Sequence, residues 1–164
     1  MRWSQSVSLP IALAALLVGS ACSSQASAPA PAAAVTGKHP ISGLDVVPLT
    51  ISQNGKSHAF RVEMAGTMEQ QEKGLMFRTA MAPDEGMLFP SDTAELRSFW
   101  MKNTVIPLDI VFIGPDHLIS NIAANAVPYS LEPINSEGAA IAVLELNGGR
   151  AAQLGIVPGA RVSW

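Results

Sequence analysis

Two carboxylates stand where a plain core strand would carry none: Asp109 within IPLDIVFI and Glu145 within IAVLEL. On an extended chain Asp109 shares a face with Val111 and Ile113, and Glu145 shares one with Ile141 and Val143. Burying an unpaired carboxylate costs several kcal/mol or forces its pKa up, so each acid needs a hydrogen-bond donor or an opening to water. Lys102 and Arg78 are the cations nearest to that demand. If Asn103 to Ile106 form a four-residue loop between two strands, Trp100 falls opposite Asp109 and Lys102 lies diagonally beside it. A loop one residue longer would set Met101 opposite the acid. The shorter loop is preferred because it gives Asp109 a cation and an amphipathic indole.

Three chemistries follow. In the first, Lys102 and Asp109 form an ion pair that pins the hairpin register, with Asn103 and Thr104 making turn hydrogen bonds. In the second, Trp100 supplies the stacking face of a shallow pocket in which Lys102, Asn103 and Asp109 orient a small polar ligand, such as a sugar or an envelope glycan, with Arg78 and Glu145 as further candidate ligand contacts. In the third, Asp109 and Glu145 act as general acid and base on a glycosidic bond, which requires two carboxyls about 5 to 9.5 Å apart across an open cleft. Arg78 is either a surface or capping residue or a carboxylate clamp, and bidentate pairing with Glu145 would serve either role.

Other chemistry finds little support. The chain has no GxSxG, HExxH, CxxC or P-loop, and His39, His58 and His117 lack metal-ligand spacing. Met64, Met68, Met76, Met81, Met87 and Met101 crowd one region, but without a repeated short motif they read as core filling rather than a Cu(I) site. No metal and no cofactor is expected. The formal net charge of −3 offers no basic field for nucleic acid.

The elements that must position these residues are short strands. At 164 residues and 48% hydrophobic, the chain suits one domain with a real core. Val47, Leu49 and Ile51 alternate, Asn54-Gly55 suits a type I′ turn, and Phe60, Val62 and Met64 alternate again. Thr67 and Gln70 form a capping-box pattern for a short helix that Gly74 can end. Met87 to Phe89 reads as a brief strand stopped by Pro90, Leu118 to Val127 as another, and Pro128 to Gly138 as a surface loop. Ile141 to Leu146 is a strand, Arg150 to Leu154 a helical turn, and a last strand reaches Trp164. The sum predicts a mainly β domain over residues 41–164, a small antiparallel β-barrel or compact sandwich with one or two short helices.

The amino-terminal segment has a different character. Arg2, an apolar run from Leu9 to Val18 and small residues Gly19, Ser20 and Ala21 read as an export signal over residues 1–21, too short to span a membrane permanently. Cys22, the only cysteine, cannot form an internal disulfide. Its position after Gly-Ser-Ala resembles the lipobox of bacterial lipoproteins, in which that cysteine is acylated; ordinary signal cleavage after Ala21 is the alternative. Two or three acyl chains make a stable anchor. Ser23, rather than Asp, in the next position favours outer-membrane sorting in a Gram-negative source. Residues 22–40 read as a Ser/Ala/Pro tether that, extended at about 3.1 Å per residue, reaches on the order of 50 Å.

GLMFR at Gly74 to Arg78, GMLFP at Gly86 to Pro90, FWMKNTVIPLDIVFI at Phe99 to Ile113, and VLELNGG at Val143 to Gly149 resemble the uncharacterised family called domain of unknown function 192. The order and spacing agree from about Val46 to Val162, with one departure: Gly159-Ala160 stands where the family pattern has Gly-Asp. The resemblance implies a small β-rich fold and supplies no reaction. The expectation is a membrane-tethered, periplasm-facing lipoprotein that binds a small polar ligand or envelope component. The rivals are a hydrolase using Asp109 and Glu145 and a purely structural envelope protein.

Overall fold

The Asn54-Gly55 turn fixes the first hairpin. Both residues have positive φ, 50° and 75°, as a type I′ turn requires. Strand β2 (Asp45–Gln53) therefore pairs with β3 (Lys56–Met64) in the register Gln53↔Lys56, and Leu49 faces Phe60 in the core. The structure, a computed structural model, describes Met1, Trp3 and residues 37–164. The export signal, Cys22 and most of the tether lie outside the described residues. A short strand β1 (Gly37–Lys38) pairs with β2, so the folded domain takes in residues assigned above to the tether.

Helix α1 (Met68–Lys73) begins at the expected capping box. Thr67 Oγ1 accepts from Gln70 N, and Gln70 Oε1 accepts from Thr67 N. The helix carries the chain across to β4 (Glu85–Glu95), which pairs parallel to β3. The sheet is thus mixed rather than purely antiparallel, because a crossover bearing a helix replaces a hairpin at this point. Pro90 does not end β4. The ladder to β3 stops at Leu88, so from there one side of β4 has no partner strand among the described residues and a residue lacking an N–H is tolerated.

The centre of the sheet is β9 (Ala140–Asn147), with β4 on one side and β6 (Leu108–Ile113) on the other; β7 (Ile119–Ala126) follows β6. Two-residue strands β5 (Ser98–Phe99) and β8 (Ile134–Asn135) form a small separate sheet. The expected hairpin from Trp100 to Asp109 is absent, since β5 pairs with β8 and β6 pairs with β7 and β9. Helix α2 (Arg150–Leu154) and β10 (Arg161–Ser163) complete the domain, with β10 against β2.

The eight-stranded sheet follows the order β1-β2-β3-β4-β9-β6-β7, with β10 off this path beside β2, and among the described residues it does not close into a barrel. Strand β10 meets the start of β7 through the bridge Leu118↔Arg161 and a few backbone hydrogen bonds, among them Ile119 N to the Ala160 carbonyl at 2.9 Å, and does not extend into a ladder along β7. Apolar clusters lie on both faces. Leu88, Val111, Ile113, Leu144 and Leu146 belong to one, whereas Met87, Phe89, Ile110, Phe112 and Val143 belong to the other. Consecutive residues of each central strand thus alternate between two cores, which explains the nearly unbroken apolar runs.

Candidate functional site

The register Asp109↔Leu146 and Ile110↔Glu145 sends the two acids to opposite faces of the sheet. They share no cleft, and an acid–base pair across a glycosidic bond is not formed. Asp109 is fully buried on the Leu146 face, where it does not pair with Lys102. Its Oδ1 accepts from Asn125 N at 2.9 Å and Gly149 N at 2.8 Å, and its Oδ2 accepts from Ala151 N at 2.8 Å. Gly149 is the N-cap of α2 and has no side chain to offer, so Asp109 satisfies the helix's first amides from a neighbouring strand. The backbone fits tightly there: a Cβ on Gly148 would lie 2.9 Å from Pro107 Cβ and 3.0 Å from Asn125 Oδ1. Asp109 is a structural acid that joins β6, β7 and α2.

Among the described residues Glu145 has no such partners. It is 5% exposed, flanked across the ladders by Met87 and Ile110, and its Oε2 is buried without a hydrogen-bond partner. Burial pushes its pKa from 4.5 to about 8, so near neutral pH it holds its proton. The side chain lines an open cavity of about 540 Å³, walled by Phe99, Trp100, Lys102, Arg97 and Lys73. Trp100 is 51% exposed, and Lys102 Nζ lies 5.2 Å from its ring centroid. Trp100 and Lys102 therefore border the cavity as the binding reading requires, but with Glu145 as their acid in place of Asp109.

Asn103 braces this wall. It adopts φ 55°; its carbonyl accepts from Phe77 N at 2.8 Å, and its Nδ2 donates to Met76 Sδ at 3.7 Å. On the other side Met101 N donates to the Ser130 carbonyl at 2.9 Å. Phe77 and Tyr129, both with positive φ, thus flank the 101–104 turn, and such backbone strain persists only where surrounding contacts hold it.

Arg78 is buried and clamps Glu63 rather than Glu145, with Nη1–Oε1 at 2.9 Å and Nη2–Oε2 at 3.1 Å. The bidentate geometry matches the clamp expected of Arg78, with a different acid. His39 Nδ1 lies 3.5 Å from Glu63 Oε2, which places a residue assigned to the tether inside the domain. Sequence reasoning missed Glu63, because in alternation with Phe60 and Val62 it falls on the face that reads as solvent. Its carboxylate is met by Arg78 from the segment after α1 and by His39 ahead of β2. Met87 and Met101 are core residues, Met64 and Met81 pack against the cores, and Met68 is exposed at the cavity.

A family model, DUF192, described as an uncharacterized ACR, matches residues 49–164. The chain belongs to the DUF192 family. Among solved structures, it is similar to a protein of unknown function from Novosphingobium aromaticivorans (52% identity, TM-score 0.79, covering 80% of this chain and 94% of that one). It is also similar to a Sinorhizobium meliloti protein described as a candidate transcription regulator (43% identity, TM-score 0.69, covering 71% and 91%). No curated protein matches. The stretches that resembled DUF192 meet in space: Phe77 and Met76 of GLMFR contact Asn103 of FWMKNT, while Asp109 of IPLDI reaches Gly149 of LNGG. Where the DUF192 pattern has an acid, Ala160 is fully buried in the first core cluster.

Proposed function

We propose that this DUF192 protein is a lipid-anchored, periplasm-facing binding or accessory module whose cavity beside Glu145 takes a small polar ligand or an envelope glycan. The observation that carries this reading is a buried carboxyl oxygen without a partner, in a side chain that lines an open cavity with Trp100 and Lys102. A polar group retained at that cost in a cavity of ligand size has the character of a binding site. The hydrolase reading loses its premise, because Asp109 and Glu145 occupy opposite faces of the sheet. A purely structural role suits Asp109, whose oxygens are satisfied, and does not account for Glu145. DNA binding of the kind a transcription regulator needs finds no support in a formal net charge of −3, which gives no basic field toward a phosphate backbone. Anchoring rests on Cys22 and its flanking small residues; no described helix is long and apolar enough to cross a membrane. The test is a thermal-shift screen of sugars, amino acids and envelope glycans. A ligand of this site stabilises the wild-type protein and has a reduced effect on Trp100→Ala, whereas no stabilisation by any compound refutes the reading.

A further inference from the structure

The groups around Glu145 narrow the chemistry of the ligand, on the premise above that the cavity binds one. Within the sheet its neighbours are Met87 on β4 and Ile110 on β6, and Glu63, next along that row, is already held by Arg78. Helix α1 contributes Glu72 and Lys73 to the cavity wall, the segment after β4 contributes Arg97, and the turn after β5 contributes Lys102; no histidine lines it. Among the described residues none of these three cations forms an ion pair with a carboxylate. Arg97 Nη2 donates to Gln71 Oε1 at 3.0 Å, and its guanidinium carbon lies 5.6 Å from the Phe99 centroid. Lysine and arginine heads only donate hydrogen bonds, and a protonated carboxyl donates as well. The charged side chains of the wall are therefore mainly donors, namely Lys73, Arg97, Lys102 and the protonated Glu145 carboxyl, with Glu72 the other acid beside them.

We infer that the cavity takes a small hydroxylated carboxylate of the sugar-acid class, its carboxylate at the rim formed by Lys73, Arg97 and Lys102 and one oxygen accepting from the Glu145 carboxyl. Trp100 and Phe99 supply the apolar wall against which a pyranose ring can lie. An amine ligand would instead require Glu145 ionised and would have to pass three cations. The two ligand classes therefore differ in the sign of their pH dependence.

The test is isothermal titration calorimetry on the full-length protein in detergent, with glucuronate, glucose and glucosamine at about pH 7 and about pH 9. Glucuronate is expected to bind at least about tenfold more tightly than glucose, and glucosamine most weakly. Its affinity falls about tenfold between the two pH values as Glu145 loses its proton. Glu145→Gln, which cannot ionise, flattens that profile, and Lys102→Ala weakens glucuronate severalfold without a matching effect on glucose. Equal binding of glucose and glucuronate, tightest binding by glucosamine, or a flat wild-type profile overturns this inference and leaves the binding reading intact. Failure of all three sugars overturns this inference too; failure of every compound in the broader screen overturns both.

Discussion

Replacing Glu145 with leucine tests the central physical claim without any ligand. Leucine fills a similar volume between Met87 and Ile110 and removes a carboxyl whose Oε2 has no partner. The native pKa of about 8 lies above the unfolded value of 4.5, so between these limits the folded protein keeps a proton that the unfolded chain has released. Stability of the wild type is therefore fully present at the acid end and falls as pH rises toward 8, by about 1.4 kcal/mol per pH unit. Above that limit both states are ionised and the dependence ends. Glu145→Leu lacks this term, so its advantage over wild type should grow by about 3 kcal/mol across two pH units inside the window. Contributions from the other groups cancel in the difference. Urea unfolding followed by tryptophan fluorescence at several pH values between about 5 and 9 measures it. A margin that stays constant or shrinks with rising pH would refute the assignment of Glu145 as a buried, unpartnered acid.

Asp109→Asn should destabilise the domain by about 3 kcal/mol, because an amide NH₂ must face one of the backbone amides that the carboxylate now accepts from; thermal melting checks it. Arg78→Ala leaves Glu63 buried without its cation and should cost about 3 to 5 kcal/mol, much of it recovered by a double Arg78→Met, Glu63→Leu substitution measured in the same denaturation assay. Gly86→Ala places a Cβ 2.6 Å from the Glu145 carbonyl, so β4 and β9 must part, and a loss of about 2 kcal/mol in denaturant unfolding is expected. Cys22→Ala should move the protein from the membrane pellet to the soluble fraction, and continued sedimentation with membranes removes the lipoprotein reading.

Several features were legible because their causes are local. The Asn54-Gly55 turn needs two residues that tolerate positive φ, and the capping box at Thr67 and Gln70 closes within one helical turn. Trp100, Lys102 and Glu145 were named as candidate ligand contacts, and all three border the same cavity. Their partnership was not legible. Arg78 was matched to Glu145 when it clamps Glu63, and Lys102 was matched to Asp109 when backbone amides satisfy that acid. The run from Phe99 to Ile113 reads as a hairpin, yet its first part pairs with β8, a short strand inside what reads as a surface loop. A two-residue strand carries too little alternation to announce itself.

What this sequence determines by itself is the face of its own strand on which each residue falls, because side chains alternate with period two wherever the chain is extended. That placed Asp109 with Val111 and Ile113, and Glu145 with Ile141 and Val143. Only the tertiary structure decides which of those faces coincide, through the pairing of β6 with β9. A shift of one residue in that register would put both acids on one side of the sheet and create the cleft that the hydrolase reading needed. The observed register instead seals Asp109 among backbone amides and leaves Glu145 at an open cavity, since burial and partners depend on strands that are distant in the chain.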